Sequence, residues 1–226
     1  MLPLKDNNPT SRIPVITIVL IVANVAVFIY SHLLGFGDQK FLMRFAAIPI
    51  NVVSLGDFLE MGPLRAIATV FTSQFLHGDL FHVAGNMLFL WIFGNNVEDR
   101  LGPAGFTIFY FLSGLIAFTA QALADPYSQI PMIGASGAVS GVMGAYLILY
   151  PRARVLTLIW IVFFVRLIWL PAYAILLYWV ALQVLYQIST PSSMGGVAYL
   201  AHIGGFGAGL IFILLVRGLS RKIDRY

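Results

Sequence analysis

Two stretches decide how this chain folds: residues 134–150, GASGAVSGVMGAYLILY, and residues 198–216, AYLAHIGGFGAGLIFILLV. Neither contains a lysine, arginine or acid, and both have the apolar length of a membrane helix or a little less. The first carries Ser136 between Ala135 and Gly137, and the second carries His202. Glycines accompany both. On a helix Gly137, Gly141 and Gly144 recur at i, i+4, i+7 and make one smooth face, while Gly205 and Gly209 follow His202 at i+3 and i+7. Two smooth faces let helix backbones approach closely. A Ser–His hydrogen bond of about 2.6–3.2 Å between the helices is then within reach.

The rest of the composition agrees with a polytopic membrane protein. The chain has 226 residues, of which 60% are hydrophobic and 10% charged. It has no cysteine, which excludes disulfides, thiolate metal sites and a cysteine nucleophile. The formal charge of +4 reads as an orientation signal and implies no nucleic acid.

Six apolar segments follow from hydropathy: residues 13–34, 80–94, 103–123, 136–150, 170–188 and 197–216. The first is expected as a retained span and not a cleaved signal. The second and fourth are short for a crossing of about 20 residues, which leaves room for water above them. Residues 35–79 are expected as a long, partly helical loop lying in the interface. Residues 155–169, VLTLIWIVFFVRLIW, fit a re-entrant segment, a surface segment or an extra span. The expected organisation is a tail over 1–12, one six-helix domain over 13–217 and a basic tail over 218–226.

Loop charges set the orientation. With six spans and both termini cytoplasmic, Lys5, Arg12, Arg100, Arg152, Arg154, Arg166, Arg217, Arg221, Lys222 and Arg225 lie inside, and Lys40, Arg44 and Arg65 outside. This satisfies the positive-inside rule. It places Ser136 and His202 near the outer ends of their helices, at one depth.

Read alone, Ser136 is ordinary small-residue packing, and His202 is equally an interhelical hydrogen bond. A histidine in hydrocarbon is nevertheless a functional-site hypothesis by default. The second segment adds His77, His82 and Asn86. The last two are four residues apart and share a helix face. Neutral donors on one face suit a developing oxyanion, and the unpartnered backbone N–H groups at the start of the Ser136 helix would add to them. The bland alternative is interhelical hydrogen bonding. A metal site is disfavoured, since His77 and His82 lack the spacing of H-E-x-x-H. All nine acids fall in loops or at helix ends, so none is placed to orient His202 as a triad aspartate does. A Ser–His dyad is the expectation. A transporter with a buried carboxylate relay is disfavoured.

The combination of His77, His82-x-x-x-Asn86, Glu98-Asp99-Arg100-Leu101-Gly102, Gly134-x-Ser136-Gly137 and Ala201-His202-x-x-Gly205-x-x-x-Gly209 resembles the rhomboid intramembrane serine proteases of the basic six-helix bacterial type. The resemblance covers about residues 8–217. It implies an all-α membrane bundle with a long interfacial loop between its first two helices. It implies Ser136 as nucleophile, His202 as general base, and an oxyanion hole from His82, Asn86 and the Ser136 backbone. His77, Glu98, Arg100, Gly134, Gly137, Gly205 and Gly209 would be structural, Glu98 and Arg100 as a pair. It implies transmembrane protein substrates met within the lipid bilayer, no cofactor or metal, no obligatory protein partner, and a bacterial inner membrane location. Two positions depart from the family pattern. Leu64-Arg65 stands where many relatives have Trp-Arg, and Ser140 stands where an aromatic often stacks on the histidine. A rhomboid-like protein that binds membrane clients without cutting them is the alternative.

Overall fold

Leu2–Asp6 form strand β1, and Val15–Phe28 form helix α1, which a π-helical turn extends to Leu33. These bounds come from a computed structural model, which describes residues 1–33, 38–161, 163–189 and 196–223. The end of the expected first span, the tip of the 155–169 segment and most of the 189–196 loop lie outside the described residues.

The segment after α1 is helical in short pieces: α2 (Gln39–Phe45), α3 (Pro49–Val53), α4 (Leu55–Met61) and α5 (Pro63–Thr72). Punctuation in the sequence explains the fragmentation. Asp38 caps α2 by accepting from Phe41 N, and Pro49 and Pro63 open α3 and α5.

Helix α6 (Leu80–Phe89) passes through a π-helical turn, Leu90–Gly94, into α7 (Asn95–Ala124). The helix therefore does not stop at Gly94, as hydropathy suggests. It continues through the polar run NNVEDR because those side chains find partners inside the protein. Glu98 accepts hydrogen bonds from Ile16 N (2.9 Å), Thr17 N (2.8 Å) and Thr17 Oγ1 (2.7 Å) at the start of α1. A carboxylate there meets unpaired N–H groups and the positive end of the helix dipole. Arg100 is exposed, so the expected Glu98–Arg100 pair is replaced by this cap. The long helix breaks at Gly102, where φ is 72° and ψ 163°, and Pro103 opens the next run.

Helix α8 (Ser136–Leu149) is short and central, with every residue from Ala138 to Leu147 buried. Helices α9 (Ala172–Ser189) and α10 (Tyr199–Ile223) complete the bundle. Much of the expected basic tail, 218–226, is thus a continuation of α10. Packing of α10 on α8 uses the glycine faces. A Cβ added at Gly205, Gly209 or Gly144 would collide with the carbonyl oxygen of Gly137, Gly141 or Phe206 respectively. The aromatic core formed by Phe93, Phe106, Phe109, Tyr110 and Tyr146 lies beside this contact.

Two expectations need correction. The fold is mostly helical but not all-α, and residues 155–169 form neither a re-entrant nor an extra helical span. Arg154–Ile161 (β2) and Phe164–Pro171 (β3) make an antiparallel hairpin, and β1 pairs with β2, giving the order β1-β2-β3. The segment is rich in β-branched and aromatic residues, which suit strands, and an apolar run alone does not separate helix from strand. Residues 1–12 are accordingly not a free tail. Asp6 Oδ2 accepts from Tyr146 Oη (2.6 Å) and Asn96 Nδ2 (3.0 Å), which fastens the N-terminal strand to α8 and α7.

By length and composition, Val15–His32, Leu80–Ala124, Ala172–Ser189 and Tyr199–Arg217 are long and apolar enough to cross a membrane, and Ser136–Leu149 is a shorter apolar helix. The protein is an integral membrane protein.

Candidate active site

The site forms at the N-terminal end of α8. The turn before this helix needs a positive φ, and Gly134 supplies it at 116°. The turn is held from below by Gly134 N donating to Ser73 O at 2.9 Å, and Met132 N donates to Ala47 O at 2.8 Å. Ser136 is the first helical residue. The N–H groups of Ser136, Gly137 and Ala138 consequently have no acceptor within the helix, and the first bond inside it is Val139 N to Ala135 O at 2.9 Å.

Three other helices converge here. From α6, His82 and Asn86 face the Gly134 turn: a Cβ built on Gly134 would lie 2.7 Å from His82 Nε2 and 3.7 Å from Asn86 Nδ2. A side chain at 134 would fill the space these groups share. Asn86 is 9% exposed, and its buried Nδ2 has no hydrogen-bond partner. It is one of seven buried side-chain polar atoms without a partner among the described residues, and it is the one that faces the turn before Ser136. His82 Nδ1 accepts from Gly78 N in a long 3.5 Å contact, an arrangement that suits a ring proton on Nε2, the nitrogen facing the turn.

From α10 comes His202. A Cβ on Gly137 would stand 4.0 Å from the Ala201 carbonyl oxygen, and Gly205 abuts Gly137. Ser136 and His202 are the chain neighbours of that contact, so the expected meeting of their two helices is present at their level. Among the described residues no hydrogen bond joins Ser136 Oγ to His202.

Instead, His202 Nδ1 is bonded to Gln183 Oε1 of α9 at 2.8 Å. Trp179, one turn earlier on α9, lies 5.7 Å from the His202 ring centroid at 37° between planes. Sequence reasoning missed both residues. The available signal was Gln183 itself, an amide inside an apolar run. Ser140, at the position left open by the family comparison, donates from Oγ to Ser136 O at 2.6 Å and stays on its own helix.

His77 is 2% exposed, and neither ring nitrogen has a partner. Its ring packs edge-on against His82 at 4.9 Å. Burial pushes His77 down to about 4, with the neighbouring His82 acting in the same direction. Glu98 and Arg100 lie at the other end of the bundle, away from this cluster, and Gly205 and Gly209 serve helix contact.

The fold and the site define a membrane protein with serine, histidine and amide side chains gathered at the end of a buried helix. The rhomboid domain family matches residues 65–219, and the chain belongs to that family. It is 27% identical over 155 residues to Rhomboid protein 1, mitochondrial, of Saccharomyces cerevisiae, covering 64% of this chain and 40% of that protein. RHOMBOID-like protein 12, mitochondrial, of Arabidopsis thaliana is 29% identical over 203 residues, or 82% of this chain and 54% of the relative. Rhomboid protease GluP of Bacillus subtilis is 28% identical over 135 residues, 59% of this chain and 24% of the relative. The chain spans about half the length, or less, of these relatives.

Proposed function

We propose that the chain is an intramembrane serine endopeptidase that cuts membrane-anchored proteins in or near their transmembrane helices. The observation that carries this reading is the buried, unpartnered Asn86 amide, which with the half-buried His82 faces the turn that presents Ser136. In the proposed reaction Ser136 Oγ attacks the scissile carbonyl while His202 Nε2 takes its proton. The carbonyl oxygen becomes an oxyanion and accepts from Asn86 Nδ2, His82 Nε2–H and the Ser136 N–H. The imidazolium then gives its proton to the departing amine, leaving an acyl-Ser136 ester. Water, deprotonated by His202, hydrolyses the ester and restores the site. Gly134, Gly137, Gly205 and Gly209 bring the helices together, and His77 backs His82. No metal or organic cofactor has a part.

Six crossings over residues 13–217 fit this reading, with the 80–124 helix crossing twice about Gly102. Strand pairing supports the count. Since β1 is hydrogen-bonded to β2, the chain crosses an even number of times between them, as α1, 80–101, 103–124 and α8 do. The sheet then lies on the cytoplasmic face with both termini, and the Ser136 end of α8 opens to the other side. Helices α2 to α5 lie in the interface. We place the protein in a bacterial inner membrane; two of the relatives named above are mitochondrial.

A fluorophosphonate probe tests the reading directly. Covalent labelling of the purified protein is expected, with none in Ser136→Ala, alongside cleavage of a transmembrane reporter by the wild type alone. A folded wild type that neither labels nor cleaves would leave the alternative, client binding without proteolysis.

A further inference from the structure

We infer that Gln183 is the positioning residue of His202: its side-chain oxygen fixes the imidazole tautomer and orientation from α9, in the place a carboxylate takes in a triad. The inference rests on the serine-hydrolase reading above for its consequence but on separate geometry for its content.

Among the described residues no acid lies near His202, and the acceptor beside its ring is an amide. Gln183 is 8% exposed, and its Oε1 lies 2.8 Å from His202 Nδ1. The amide has a defined sense, because its Nε2 donates to the Trp179 carbonyl oxygen one turn back, in a long 3.5 Å contact. With the nitrogen so committed, the oxygen faces the ring. An amide oxygen only accepts, so Nδ1 must carry the imidazole proton. Nε2 is then unprotonated and free to act as base toward Ser136. Trp179 covers the ring as well. Ser140 Oγ donates to the Ser136 carbonyl oxygen, and among the described residues it makes no bond to His202. Both contacts that hold the base therefore come from α9, and neither comes from the helix that carries the nucleophile.

The neutral acceptor has a chemical consequence. It orients the base without a negative charge that would hold the imidazolium. Within one turn of Gln183 and of His202 on their own helices the titratable groups are Tyr186 on α9 and Tyr199 on α10, which stack on each other at 5.6 Å, and His82 approaches from α6. Helix α7 faces this region with Ala117 and Ala120, and α8 with Gly137 and Ser140.

The test uses the purified full chain in detergent micelles with 15N-labelled histidine, the His202 signals being assigned by comparison with His202→Ala. The wild type should show His202 protonated on Nδ1 at neutral pH, and Gln183→Leu should show the Nε2-protonated tautomer. Reporter cleavage by Gln183→Leu should lose kcat by roughly 10- to 100-fold with KM within twofold, a smaller loss than the ~10⁴ seen when a triad aspartate no longer sets the tautomer. Gln183→Glu keeps the acceptor, so it should recover most of the rate and move the acid limb of the pH profile upward, because a nearby carboxylate favours the imidazolium. A wild-type His202 protonated on Nε2, or a Gln183→Leu spectrum unchanged from wild type, would overturn the assignment. So would a Glu variant no faster than the Leu variant with an unmoved acid limb. The spectrum does not depend on proteolysis. A tautomer switch in a protein whose Ser136 never labels would sustain the positioning role and sink the hydrolase reading.

Discussion

The α8–α10 contact allows a demanding test, because one substitution should disable the site while another two residues away should not. A methyl group at Gly205 would collide with the Gly137 carbonyl oxygen and stand 3.3 Å from Ser140 Cβ. Both obstacles belong to the buried helix α8, which has no room to yield, so α10 must withdraw by at least about 1 Å to approach ordinary contact distances of roughly 3.5 Å. Overpacking of this kind costs about 1–3 kcal/mol. Alanine offsets part of it, being favoured over glycine in a helix by about 0.5–1 kcal/mol. Net destabilisation should therefore be modest, about 0–2 kcal/mol. The rate should suffer more. His202 lies one turn before Gly205, and a misplacement of about 1 Å between reacting groups costs on the order of 100-fold. Gly207 is the control, since a Cβ there meets nothing within 4 Å. Gly205→Ala should thus lower kcat about 100-fold in a reporter-cleavage assay with a small fall in thermal midpoint. Gly207→Ala should cleave at the wild-type rate and melt slightly higher. A Gly205→Ala protein within threefold of wild-type kcat would refute the reasoning that close backbone approach aligns the dyad.

Four further outcomes are expected. Ser136→Ala and His202→Ala should each abolish cleavage, and the double variant should be no worse than either, as for members of one catalytic unit; additive losses would show independent roles. Asn86→Ala should lower kcat by roughly 10- to 1,000-fold with little change in KM, since one oxyanion donor is lost; a change confined to KM would make Asn86 a binding residue. Glu98→Ala removes three hydrogen bonds from the start of α1 and leaves Thr17 N–H buried and unpaired, so thermal unfolding should show a loss of at least about 1–3 kcal/mol, while Arg100→Ala should be neutral. His77, held at about 4 when folded against an ordinary 6.5, takes up its proton first in the unfolded chain. This group alone should therefore lower stability as pH drops from about 6.5 to 4, by up to about 3 kcal/mol, and His77→Leu should remove that share of the acid sensitivity in melts at pH 7 and pH 5.

What the sequence determined by itself was the membrane setting, most helix bounds and the residues of the candidate cluster. Uncharged apolar length requires helices that satisfy their own backbone, and helical spacing placed Gly137, Gly141 and Gly144 against Gly205 and Gly209 before any coordinates. Ser136, His82 and Asn86 were legible for the same reason, since polar groups stand out in an apolar helix. Tertiary structure decided what depends on partners distant in the chain. Residues 155–169 are apolar enough for a helix, yet they pair as strands because β1, about 150 residues earlier, supplies the third strand. The run after Gly94 looked like a loop until Asp6 and α1 took up its polar groups. Glu98 seemed made for Arg100, its near neighbour, and caps α1 instead. Gln183 read as one polar residue in an apolar helix, because sequence spacing within α9 says nothing about which face of α10 it meets. Local pattern records what a residue can bury or bond; only the packed chain sets which group is there to receive it.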